Sequence, residues 1–120
     1  MLEFLKQIEE YDNLKEGWDG RDGIPPGYFA IENSKRMLCF CCEFDIKPHG
    51  VFPIAEGGVA LVWSTSKNYS EIECFCKGGM LGYIHEFKKE PDIFEILLDE
   101  KSMREGIVKI KNFWINVKKI

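Results

Sequence analysis

The sequence predicts an α+β fold: two N-terminal helices, an antiparallel meander sheet of four to five strands, and a C-terminal helix packed on the sheet. Two observations carry this. Apolar residues recur at helical spacing before Pro48 and again after Asp99, whereas between them they alternate residue by residue, as in strands. The segments joining the strand-like runs are also too short for crossovers, so consecutive strands should pair antiparallel. Helices gathered on one face of such a sheet bury both kinds of apolar surface.

Each element follows from its own pattern. Leu2, Leu5, Ile8 and Tyr11 make the apolar stripe of a first helix, about residues 2–13. Residues 12–27, with four glycines and two prolines, read as a loop. Pro25 and Pro26 suit the start of a second helix, where a missing amide proton costs nothing. Its buried stripe is Ala30, Ser34, Met37, Cys41 and Phe44, widened by Ile31 and Leu38. The helix should end before Pro48, with His49-Gly50 as a turn. Phe52-Pro53 reads as an edge strand, where proline is tolerated. Val59, Leu61 and Trp63 form the inner positions of the next strand, and Ile72, Cys74 and Cys76 those of the one after. Runs from Met80 to Phe87 and from Ile93 to Leu98 supply two more, with Phe94, Ile96 and Leu98 facing inward. Met103, Ile107, Ile110, Trp114 and Val117 then give the clearest amphipathic stripe in the chain, over residues 101–117.

The 120 residues suit a single domain, 1–120. With 45% hydrophobic and 30% charged residues, the chain has the balance of a globular protein rather than a disordered one. Its net charge of −4 argues against general nucleic-acid binding. No apolar run approaches the ~18 residues of a membrane span, so no membrane partner is expected. The acidic N-terminal segment does not read as a signal peptide. Five cysteines, Cys39, Cys41, Cys42, Cys74 and Cys76, are an odd set without an export signal, which points to reduced thiols in the cytoplasm. Their spacing does not match structural zinc sites, so they are expected to pack as small apolar side chains, and no metal or cofactor is called for.

Nothing local resembles a nucleophile elbow, a phosphate loop or a zinc-protease helix. His49 and His85 are the only histidines. An enzyme or small-ligand domain would need one of them in a concave pocket on the sheet face, close to a cysteine or carboxylate. The charge distribution is uneven. Residues 1–22 carry seven acids against three bases, and residues 101–119 six bases against one acid. Arg104, Lys111 and Lys118, seven residues apart, line one side of the last helix. They form either a nucleic-acid-binding stripe or, as the overall charge favours, a solvated face complemented by the acidic first helix. Trp18, in a Gly/Asp loop, is expected to plug the core from outside, with an exposed interaction anchor as the alternative.

Glu16-Gly17-Trp18-Asp19-Gly20, the prolines 25–26, Phe52-Pro53 and the run Gly57-Gly58-Val59-Ala60-Leu61-Val62-Trp63 form a recognisable set over residues 13–76. In these features the chain resembles small bacterial and phage-borne proteins with a WDG loop, a proline-led helix and a GGxxLxW strand. Members usually continue WDG with Tyr-Gly-Ala, where this chain has Arg21-Asp22-Gly23. The motifs are structural rather than catalytic. Their setting on mobile elements and beside toxin–antitoxin genes implies a partner-binding role. The expectation is therefore a non-catalytic cytoplasmic protein that binds another protein, as an antitoxin, immunity factor or phage-encoded inhibitor does. A homodimer is compatible with it. The candidate contact residues are Trp18, Arg21, Tyr28 and Phe29.

Overall fold

The computed structural model describes residues 1–118. Helix α1 covers Leu2–Glu10 and continues as a single 3-10 turn over Tyr11–Asn13, and α2 covers Tyr28–Glu43. Five strands follow, β1 (Gly50–Ile54), β2 (Gly58–Ser64), β3 (Tyr69–Cys74), β4 (Met80–His85) and β5 (Asp92–Ile96), and α3 (Glu100–Lys118) closes the described chain. The sheet order is β1-β2-β3-β4-β5 with every pair antiparallel, the meander expected from the short connections. Pro53 lies on the edge strand β1 opposite Val59, where its missing N–H breaks no ladder between two central strands.

The register decides which side chains meet the helices. One cross-strand row is Val51, Leu61, Ile72, Gly82 and Phe94, and the next is Pro53, Val59, Cys74, Met80 and Ile96. Apart from Pro53 and Gly82, these pack with Ile8 of α1, Ala30, Met37 and Cys41 of α2, and Met103, Ile107, Ile110 and Trp114 of α3 in one core. The residues between them, Phe52, Ala60, Glu73, Leu81 and Glu95, form the opposite face, which the helices leave open. The stripe of α3 is buried as its spacing predicts, down to the half-buried Val117. On α2, Phe40 and Asn33 are buried in addition to the expected stripe, and Phe44 is half-buried.

Three expectations need correction. Pro25 and Pro26 do not open α2, which starts at Tyr28 behind Gly27. Ile24 N–H donates to Ala55 O at 2.8 Å and Gly27 N–H to Gly57 O at 3.0 Å, so the prolines run extended beside the β1–β2 turn. Leu98 does not face inward. Asp99 Oδ1 accepts the Ser102 N–H and Ser102 Oγ accepts the Leu97 N–H, both at 2.7 Å, a reciprocal cap that ends β5 at Ile96 and leaves Leu97 and Leu98 exposed. Cys76 does not continue the inner row of β3, because the strand ends at Cys74 and the chain turns at Phe75–Gly79.

Candidate functional site

Two ends of the sheet carry the residues of interest. At one end lie the start of α2, the β1–β2 and β3–β4 turns and the β5–α3 link. The WDG loop leads into it and is held by its own atoms. Asp19 Oδ1 accepts the N–H groups of Arg21 and Gly23, each at 2.9 Å, and these two bonds hold the Asp19 carboxyl below its ordinary range. Gly17 and Gly20 take φ of +79° and +81°, a left-handed conformation that glycine adopts without strain. Trp18 Nε1–H donates to Ile24 O at 2.8 Å. This tryptophan is half-buried and lies outside the core, so it staples the loop to the extended segment that follows it instead of plugging the core.

Tyr28 and Phe29 emerge just beyond this staple, 68% and 55% exposed, with their rings edge to face at 5.5 Å. Phe29 shares the β3–β4 turn with Leu98, and Ile24 lies beside the β1–β2 turn. At Gly78, in the β3–β4 turn, an added Cβ would lie 3.8 Å from Phe29 and 3.9 Å from Leu98, and at Gly57 it would lie 3.4 Å from Ile24. Asn33 Nδ2 donates to Gly78 O at 3.3 Å and ties that turn to α2. Of the four predicted contact residues, the structure brings Tyr28 and Phe29 together. Trp18 supports the loop behind them, and Arg21 is exposed with no ion pair among the described residues. Ile24, Leu97 and Leu98 were not foreseen. The signal for the two leucines was the Asp99-x-x-Ser102 cap, which stops the strand before them.

At the opposite end a cleft of about 630 Å³ opens between the α2–β1 connection, the end of β2 and the last turns of α3. Its walls include His49, Trp63, Trp114, Lys111 and Lys118. His49 Nδ1 accepts the Ser64 N–H at 2.8 Å, and its ring lies 5.7 Å from that of Trp114. Trp114 Nε1–H donates to the buried Ser70 Oγ at 2.7 Å. His85, by contrast, stands exposed at the end of β4 with its ring 6.3 Å from Tyr83.

The predicted basic stripe is not one surface. Arg104 Nε donates to Glu43 at 3.1 Å and Nη1 to Glu100 at 3.3 Å, its guanidinium lies over the Phe40 ring, and the bond to Glu43 raises its pKa further. Lys111 Nζ donates to Phe44 O at 2.6 Å, at the C-terminal end of α2. Lys118 is exposed at the cleft. The complementing acid is thus Glu43 on α2 rather than the first helix, whose Glu3 pairs with Lys47 at 2.8 Å.

The cysteines are scattered. Cys39 and Cys42 are exposed on α2, while Cys41 and Cys74 are buried, and burial pushes both buried thiols up, Cys74 to about 12. A thiol so shifted is a poor nucleophile at neutral pH. Among the described residues no three His, Cys, Asp or Glu side chains gather as a metal-binding group, and no helix is long and apolar enough to cross a membrane. In comparisons with family models, with curated proteins and with solved structures, nothing matches this chain.

Proposed function

We propose that the protein is a non-catalytic binding protein of antitoxin, immunity-factor or phage-inhibitor type, acting in the cytoplasm by docking a protein partner on the Tyr28–Phe29 end of its sheet. One observation carries this reading. Of ten exposed large hydrophobic residues, five (Ile24, Tyr28, Phe29, Leu97 and Leu98) lie at that end. Exposed apolar residues scattered singly are ordinary, whereas a cluster of this kind is the core of an interface. Tyrosine and phenylalanine are the residue types that anchor such cores, and the exposed Arg21, Glu56 and Lys77 provide a charged rim. The capped loop and the hydrogen-bonded turns beneath hold the anchors in place before a partner arrives, which lowers the entropic cost of binding.

The test is affinity capture from cells that natively express the protein, using the wild type, Tyr28→Ser/Phe29→Ser, and Phe87→Ser as a control for exposed apolar surface elsewhere. A stoichiometric protein should be captured by the wild type and the control, and its recovery should fall about tenfold or more with the double variant. Because both side chains are mostly exposed, the double variant should keep the wild-type melting temperature. Equal capture by the double variant, or no stoichiometric protein at all, would overturn the proposal.

A further inference from the structure

The outer face of the sheet carries a groove of about 560 Å³ that runs along β2. Ala60 and Val62 form its floor. Phe52 and Ile54 of β1 line one side, and Glu71 and Glu73 of β3 line the other. The register explains the shape, since the small Ala60 stands between the larger Phe52 and Glu73 in one cross-strand row. The side chains of both walls reach solvent: Phe52 is 53% exposed, and Ile54, Glu71 and Glu73 are half-buried.

The charges on this face have one sign. Glu71 and Glu73 line the groove, Glu95 follows in the row of Glu73 beyond Leu81, and the five strands contain no lysine or arginine. Among the described residues no base pairs with any of the three glutamates. The lysines of the neighbouring loops have other partners, Lys67 and Lys88 over the Phe87 ring and Lys89 with Glu86. Burial first, and then the charges of Glu71 and Glu56, hold the Glu73 carboxyl above its ordinary range, as like charges without a counter-ion do.

We infer that this groove docks an extended cationic segment of a partner protein, with lysine or arginine on the glutamate wall and apolar side chains on the Phe52–Ile54 wall. Complementary charge selects the occupant. The same face of a second copy would set glutamate against glutamate, and a nucleic acid or an anionic membrane would be repelled. An uncharged apolar segment would cover the carboxylates without answering them. The geometry selects its form. Each wall is made of residues two apart on a strand, a spacing of about 6.6–6.8 Å, and an extended chain repeats its side chains at that interval. Lying along the groove, it points alternate residues to the two walls. A sequence alternating basic and apolar residues therefore fits both.

The test titrates the full chain with a capped Arg-Val-Arg-Val-Arg peptide in ¹H–¹⁵N spectra. Controls are Gln-Val-Gln-Val-Gln, which lacks the charge, and Arg-Arg-Arg-Val-Val, which lacks the alternation. The amide signals of Ala60, Glu71 and Glu73 should move saturably with the first peptide, at a dissociation constant of about 1 mM or below, and severalfold more weakly with either control. Glu71→Gln/Glu73→Gln should weaken the first peptide about fivefold or more, and Phe52→Ser severalfold. Glu10→Gln/Asp12→Asn, which removes the same charge from the N-terminal helical segment, and Tyr28→Ser/Phe29→Ser should bind it as the wild type does. Unmoved signals, equal binding of either control peptide, or equal weakening by the Glu10/Asp12 or Tyr28/Phe29 variants would overturn the inference. So would movement of the same signals on dilution of the protein alone, which would assign the face to a second copy.

Discussion

The two faces of the sheet are built from alternate residues of the same five strands, yet they differ in kind. The inner positions Val51, Val59, Leu61, Trp63, Ile72, Cys74, Met80, Ile84 and Ile96 are all buried, and the one polar side chain buried among them, Ser70, is bonded to Trp114. The outer positions carry Glu71, Glu73 and Glu95 beside Tyr69, Tyr83, Phe52 and Ile93, and none of the five strands contains a lysine or arginine. The hydroxyl of Tyr69 donates to Glu71 Oε2 at 3.1 Å, and its own pKa is pushed up to about 12, by burial first and the nearby glutamates second. Parity along a strand, not the identity of the strand, therefore sets what a substitution costs. The inner face holds the fold, while the outer one is free to keep charge and solvent contact.

The sharpest break of that contrast is Trp114→Ala. The side chain fills the end of the inner core, meets Phe113 edge to face and His49 at a tilt, and donates to Ser70. Removing it leaves a cavity and a stranded hydroxyl, and should cost about 3–5 kcal/mol by chemical denaturation. Phe52→Ala, on the outer face and 53% exposed, should change stability by less than about 0.5 kcal/mol in the same assay. Equal losses would mean that α3 is not packed as the structure shows.

A smaller inner-face effect should come from Gly82→Ala. Gly82 stands between Ile72 and Phe94 in the cross-strand row, and an added Cβ would lie 2.2 Å from the Phe94 ring. That ring covers the glycine and is itself capped by Lys109 Nζ, 4.2 Å from its centroid. Since Phe94 is only half-buried on the edge strand β5, it can swing outward. The cost should be about 1–3 kcal/mol, the range of overpacking with partial relief. A neutral result would show that Phe94 does not rest on Gly82 in solution.

How much of this was legible in the sequence follows the same division. The α3 stripe and the inner positions of β2 come from strict periodicity, which burial on one side imposes, and both were readable. Leu98 was misplaced because the end of β5 is set by the Asp99–Ser102 cap and not by alternation. Trp18 was misjudged because its partner is a backbone carbonyl six residues on, a bond that no composition encodes. Tyr28 and Phe29 were named from their place after the loop, but Leu98, which meets Phe29 at Gly78, comes from the β5–α3 link, distant in sequence. Arg104 finds Glu43 across 61 residues, beyond the reach of any local charge pattern. The cleft was invisible for that reason too, since it joins the ends of α2, β2 and α3.

The smallest expected effect has the opposite sign and comes from the outer face. Glu73 lies opposite Ala60 and Leu81, and its pKa is raised from the ordinary 4.5, by burial first and then by Glu71 and Glu56. A carboxyl with a folded-state pKa above its unfolded value binds its proton more readily when folded. Its charge therefore opposes folding at every pH above the folded value, and the penalty disappears as pH falls below the unfolded one. Glu73→Gln removes that charge while keeping the shape. It should raise the melting temperature slightly at pH 7, by an amount worth less than about 0.5 kcal/mol because the group is still partly exposed and screened. The gain should shrink as pH is lowered through the carboxylate range and vanish below it, in thermal melts at matched ionic strength. A loss of stability at pH 7 would mean that the ionised Glu73 is engaged favourably, and that the outer face contributes to the fold as the inner one does.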